Sequence, residues 1–223
     1  MHRFNIDMRH RKSNRIVNPL TLAGLLACSF LISALPAQTT DPPAPPAAKD
    51  DSIAPLNVAQ KFNYRVTQAF GIRGFFQAAV GAGLNQVRDV PHEWGEGSVG
   101  FGERFGSSFG QHLVDQTMEF TLESALHEDP RYFPSHEKGA GARIRHALLA
   151  TVITRTDSGG QTLAIARITS AFATGQLVNA WQPPSTNSVS EGLTRTGLIF
   201  AEHAAWNVAQ EFVPRLRPKS MRQ

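Results

Sequence analysis

The chain has 223 residues, 22 Lys+Arg against 18 Asp+Glu and a single cysteine, which excludes a disulfide-stapled scaffold. Its basic excess sits at the start: the first 37 residues hold Arg3, Arg9, Arg11, Lys12 and Arg15 against Asp7 alone. That leaves 17 bases and 17 acids from Gln38 onward, a balance that argues against nucleic acid as a partner.

A basic head, an apolar run from Leu20 to Leu35 and the small residue Ala37 follow the layout of a secretory signal. Residues 1–37 are therefore expected to direct export and to be removed. Two variants compete: Leu25-Leu26-Ala27-Cys28 as a lipobox with Cys28 lipidated, and the apolar run kept as an anchor. The expected location is the periplasm or outer envelope, with secretion as the further option. Residues 38–56 are rich in proline, which cannot donate to helix or sheet, and are expected to form an extended spacer.

Residues 57–214 read as a helical domain, and 215–223 as a basic tail. Its first segment, about Asn57–Arg88, contains Gly71, Gly74, Gly81 and Gly83 and is expected to break near Gly71–Gly74. A turn over Pro91–Gly97 precedes a second helix from Ser98 to about His127, stopped by Pro130. Two apolar segments, about 142–155 and 162–181, flank Asp157-Ser158-Gly159-Gly160. Four-residue spacing (Leu148 with Val152, Leu149 with Ile153) favours helices, and the β-branched content leaves a hairpin within 142–170 as the alternative. A last helix opens at Ser190 or Thr194 and ends before Pro214. The expected class is mainly α: a bundle of about four or five helices, or α+β if the hairpin forms.

Small residues recur every four positions at Ser98, Gly102, Gly106 and Gly110, and again at Gly197, Ala201, Ala205 and Ala209. Each set makes one smooth helix stripe that lets another backbone approach, and Gly102, Gly106, Gly110, Ala201 and Ala205 are expected to be packing positions. A glycine zipper in lipid is the rival reading. It would require Glu103, Arg104, Gln111, His112 and Asp115 to enter lipid, which favours close packing inside a bundle instead.

The densest polar patch is His127, Glu128, Asp129, Arg131 and Tyr132, an imidazole, two carboxylates, a guanidinium and a phenol at a helix end. Such a set could serve acid–base chemistry, with Arg131 holding an anion, or could simply stop the helix. Gly95–Gly100 matches GxGxxG without the strand that a dinucleotide site needs. Gly106–Gly110 matches GxSxG around Ser108, with Asp157 and His203 following in triad order, yet the serine falls inside a helix. Trp94, Trp181 and Trp206 read as packing residues, and no strong metal spacing or cofactor motif is present.

Three blocks carry a resemblance: Gln86-Val87-Arg88-Asp89-Val90-Pro91-His92-Glu93-Trp94-Gly95, Glu128-Asp129-Pro130-Arg131-Tyr132 and Arg155-Thr156-Asp157-Ser158-Gly159. With Trp181-Gln182-Pro183 and Asn207–Phe212, they make residues 61–212 resemble a family of secreted proteins found mainly in acidobacteria, which has no established activity. That family more often has tyrosine at the position of Gln182. The resemblance implies membership and no chemistry. The expectation is a non-catalytic, exported envelope protein with structural or interaction duties. Its expected partners are a membrane surface, envelope proteins or further copies of itself (a homo-oligomer). A small hydrolase built on His127–Tyr132 and an apolar-ligand or lipid binder are the alternatives.

Overall fold

The computed structural model describes residues 54–217. The signal segment, Cys28, most of the Pro-rich spacer and the end of the basic tail lie outside the described residues. The described residues are mainly helical.

Helix α1 (Val58–Phe70) starts in a capping box: Asn57 Oδ1 accepts from the Gln60 amide, and Gln60 Oε1 accepts from the Asn57 amide, both at 2.9 Å. It ends at Gly71, where the chain is extended (φ −84°, ψ −173°) and any side chain would run into the Thr67 carbonyl. Helix α2 (Ile72–Val87) resumes at once, so the expected break falls on a single residue. Helix α3 (Gly97–Leu126) is 30 residues long, about 45 Å at 1.5 Å per residue. It begins one residue before the expected Ser98 cap and stops at His127, which takes the left-handed conformation (φ 57°). The broken limb α1–α2 runs antiparallel to the whole of α3, with Lys61 at one end reaching the Glu123 carbonyl and Gln86 at the other meeting Arg104.

The second half repeats that plan. Helix α4 (Ala140–Leu149) leads into strands β1 (Ile153–Arg155) and β2 (Gln161–Leu163), and helix α5 (Ile165–Leu177) follows. The strands pair antiparallel, Thr154 opposite Thr162, around a turn in which Gly159 has φ 85°. Helices and hairpin thus both form, at different residues of the segment where they had been alternatives. Helix α6 (Val189–Phe212) starts two residues after Pro183-Pro184-Ser185-Thr186-Asn187, capped by Ser188 rather than by Ser190 or Thr194. The Ser188 hydroxyl accepts from the Glu191 amide at 3.2 Å, which satisfies a first-turn donor earlier than expected. Asn207 on α6 reaches the Ala147 carbonyl on α4, and Thr196 sits beside Ala171 on α5.

Inside and outside are exchanged relative to a water-soluble bundle. Of the ten buried apolar residues, seven are alanines, and only Tyr132, Val178 and Ile199 are larger. Buried with them are Lys61, Arg65, Arg73, Arg104, Asp115, Glu119, Glu123, Glu128, Asp129, Arg131, Arg167 and Glu211. Thirty large apolar side chains are exposed among the described residues, including the whole Val58–Phe62–Val66–Phe70 stripe of α1 and Ile72, Phe76, Val80 and Leu84 of α2. Scattered apolar exposure is ordinary, but stripes on α1, α2, α4, α5 and α6 over a charged interior are not. No helix is long and apolar enough to cross a membrane among the described residues.

The glycine stripe does not pack as expected. A side-chain carbon placed at Gly102 or Gly106 would meet nothing within 4 Å, and at Gly110 only the Trp181 ring edge, at 4.0 Å. Ala201 and Ala205 are exposed as well. Close approaches occur elsewhere: a side-chain carbon at Gly175 of α5 would fall 2.5 Å from the Gly192 carbonyl of α6. Four-residue spacing identified a smooth face, and the charged face of α3 turned inward in its place. Arg104, His112 and Asp115 are buried within the protein, so the stripe beside them does not require them to enter an apolar surround.

Candidate functional site

The patch read from sequence is a structural bracket. Asp129 accepts from the Arg131 amide (3.0 Å), Nε (2.9 Å) and Nη2 (2.6 Å), and Arg131 also donates to the Ala54 carbonyl at 2.8 Å. Glu128 Oε1 accepts from the Ala166 amide in the first turn of α5, where the helix N-terminus favours negative charge. The Tyr132 hydroxyl donates to Glu211 Oε2 at 2.6 Å, and Glu211 also accepts from the Ser135 amide (3.0 Å) and Arg143 Nε (2.7 Å). Only His127 is outward, its Nδ1 3.5 Å from Asp157 Oδ2. Glu128 and Tyr132 therefore hold the loop to α5 and α6, and Asp129 fixes Arg131 within it.

The remaining blocks are braces too. Arg104 donates to Gln86 Oε1, Asp89 Oδ1 and the carbonyls of Val90, Pro91 and Gly95, all within 3.0 Å. One side chain thereby organises the entire Gln86–Gly95 turn, which includes a cis Val90–Pro91 bond. Gly95 and Gly97 sit at positive φ in that turn, with no strand preceding them. Trp181 Nε1 and Gln182 Nε2 both donate to Ser107 Oγ. The triad does not assemble: Asp157 pairs with Lys61 (2.7 Å), whereas His203 faces Asp115 (3.3 Å), and Ser108 lies on α3 against Gly81.

What the structure does bring together is a buried ion cluster at the meeting of α1, α2, α3, α5 and α6. Arg65 donates to both Glu119 and Glu123 and, at 3.0 Å, to Gln116 Oε1. Glu119 also faces Arg167 Nε (3.4 Å) and His203 Nε2 (3.7 Å). Burial raises the Glu119 carboxyl, but the guanidinium groups around it, Arg65 first, outweigh it and bring it down to about 2. Burial pushes Glu123 up to about 7 despite Arg65. His112 is pulled down to about 4 by burial and by Arg73, and its Nε2 meets the Gln68 carbonyl at 3.2 Å. Burial also lowers Arg73.

Asp115, Glu119 and His203 place one ligand atom each within 4.8 Å of one another, close enough to hold a metal ion. Asp115 Oδ1 and Glu119 Oε1 have no hydrogen-bond partner. The surrounding donors do not fit a cation. Arg73 Nη2 lies 3.2 Å from His203 Nδ1. An arginine can only donate there, so Nδ1 is the acceptor and the ring proton sits on Nε2, facing Asp115. The nitrogen a metal would need is thus occupied by hydrogen, and Arg65, Arg73 and Arg167 already supply positive charge.

A cavity of about 590 Å³ reaches this cluster from outside. Its rim includes the exposed Glu137, Gln161 and Leu149, and its wall includes the buried Arg65, Arg73, Arg167 and His203. Sequence reasoning missed the cluster because Lys61, Arg65, Glu119 and Glu123 look like the solvated face of helices. The one signal was their four-residue spacing, with bases on α1 matched by acids on α3.

Compared with family models, curated proteins and solved structures, the chain finds no match. Its site is read from geometry alone.

Proposed function

We propose that this is an exported, non-catalytic envelope protein that associates with a membrane through its apolar outer faces. The observation that carries this reading is the exchange of inside and outside: thirty exposed large apolar side chains surround a charged interior. In water such a surface costs about 25 cal/mol for each Å² of apolar area left uncovered. Lipid removes that cost while the paired interior charges, such as Arg65 with Glu119 and Glu123, stay within the bundle. Apolar stripes occur on all sides of the bundle, on α1, α2, α4, α5 and α6, which suits a lipid surround better than one protein partner. Interior helix contacts through Ala, Gly, Ser and Thr fit the same surround.

The hydrolase reading loses support because the carboxylates of Glu128 and Asp129 are engaged by Ala166 and Arg131. The test is carbonate-wash fractionation of the full chain in its own cells. The protein should stay in the membrane pellet and leave it only with detergent. A monomer in the wash supernatant would overturn the reading, and a large assembly there would replace lipid with further copies of the chain.

A further inference from the structure

The 590 Å³ cavity has an unusual balance of charge. Arg65, Arg73, Arg131, Arg155 and Arg167 line it, and Glu137 is the one acidic side chain on its wall. Arg65 and Arg131 are spent on carboxylates behind the wall. Arg167 is partly spent, its Nε lying 3.4 Å from Glu119 Oε1, and Arg73 and Arg155 are not. No carboxylate lies within 4 Å of Arg73 or Arg155 among the described residues, and Arg73 donates only to Gln68, Gln77 and His203. Among the described residues the Arg155 guanidinium has no hydrogen-bond partner. It is stacked 4.2 Å over the Phe133 ring, which fixes its plane while leaving its donors free. Arg167 is 8 % exposed; its Nη1 donates to the Ala150 and Thr151 carbonyls, and its Nε makes no hydrogen bond but faces Glu119 Oε1 at 3.4 Å.

Buried donors without acceptors are costly, and arginine forks match the oxygens of phosphate. We propose that this cavity binds a phosphate oxyanion, received by Arg155 near the rim and by Arg73 on the inner wall. Phe133, Leu149 and Ile153 give the lining an apolar part next to the exposed Leu148 and Val152. The phosphate can therefore come free from solution or as the headgroup of a phospholipid. The site does not depend on where the outer faces of the protein reside, since it is built from donors around the cavity.

Calorimetric titration of the full chain with inorganic phosphate, paired with flotation on vesicles of phosphatidylglycerol or of phosphatidylcholine, tests this. Arg155→Gln is the informative variant, because Arg155 is half-buried and its side chain braces no other element through a hydrogen bond. Arg145→Gln, exposed on α4 and outside the cavity, removes the same charge. Saturable phosphate binding that weakens at least tenfold in Arg155→Gln and is unchanged in Arg145→Gln supports a free-phosphate site. Preference for phosphatidylglycerol lost only in Arg155→Gln, without phosphate binding, supports the headgroup. Equal losses in both variants would reduce the effect to net charge and overturn the proposal. So would the absence of both phosphate binding and any phosphatidylglycerol preference.

Discussion

The two halves of the domain share a plan and differ in what faces inward. In each, a broken limb lies antiparallel to a long unbroken helix: α1–α2 against α3, and α4–α5 against α6. The first half joins its limbs by charge, Arg65 of α1 pairing with both Glu119 and Glu123 of α3. The second half joins its upper limbs by close approach, with Ala166, Ser170, Ala171, Thr174 and Gly175 of α5 on the inner face. Charge pairs tolerate separation but not the loss of a partner. Small-residue contacts tolerate chemical change but not volume.

Five substitutions, one of them also in a triple variant, would break or sharpen that contrast. Arg65→Met should have the largest effect, about 3–5 kcal/mol, because it strands Glu119 and Glu123 in the interior. Neutralising both acids in the same chain (Arg65→Met with Glu119→Gln and Glu123→Gln) should restore part of the loss, measured as denaturant midpoint. No recovery would mean that the first half depends on shape rather than charge.

Gly175→Ala comes next, at about 1–3 kcal/mol, since the new carbon would meet the Gly192 carbonyl and Thr196 Oγ1 at 2.5 Å. Gly106→Ala is its counterpart on α3, where the space is open, and should stabilise by up to about 1 kcal/mol through helix propensity. Equal losses at both positions in thermal melts would show that the stripe of α3 is covered after all.

The smallest effects are in the pH profile. His112 titrates at about 4 in the folded protein and near 6.5 when unfolded, so the unfolded chain binds more protons between those values. Stability from this group is full above 6.5 and is lost as pH falls toward 4. Burial pushes Glu202 of α6 up to about 7, so there the folded chain binds more protons. Its contribution is full below about 4.5 and is lost as pH rises through 7. Glu202→Gln should therefore gain about 1–2 kcal/mol on the wild type at pH 8 relative to pH 5. His112→Gln should show its relative gain at pH 5 instead. Parallel profiles for the two variants would show that neither group governs its limb.

Most element boundaries were legible in local chemistry. Gly71 broke the first segment, the Gly and Pro turns fell where expected, and Asp157–Gly160 turned the chain. What was not legible was which way each helix faces. On α1, Val58, Phe62, Val66 and Phe70 make one stripe, and Lys61 and Arg65 lie on another. Both have helical period, and periodicity marks two faces without naming the inner one. That choice depends on the medium and on the acids of α3, some 50 residues away. The same ambiguity hid the ion cluster and drew attention to His127–Tyr132, whose residues are conspicuous because they are adjacent in sequence.

Lys61 shows what this construction asks of a chain made from one end. Its ammonium donates to the carbonyls of Glu123 and Glu128, where α3 ends, and to Asp157 Oδ2 in the hairpin turn. The nearest of these acceptors is 62 residues away in sequence and the farthest 96. A chain emerging from a ribosome or a translocation pore therefore exposes this cation long before any of its acceptors has appeared. Until Asp157 follows, the Lys61 ammonium can meet the carbonyls at the end of α3 but not its carboxylate, so the first half draws this counter-charge from the second.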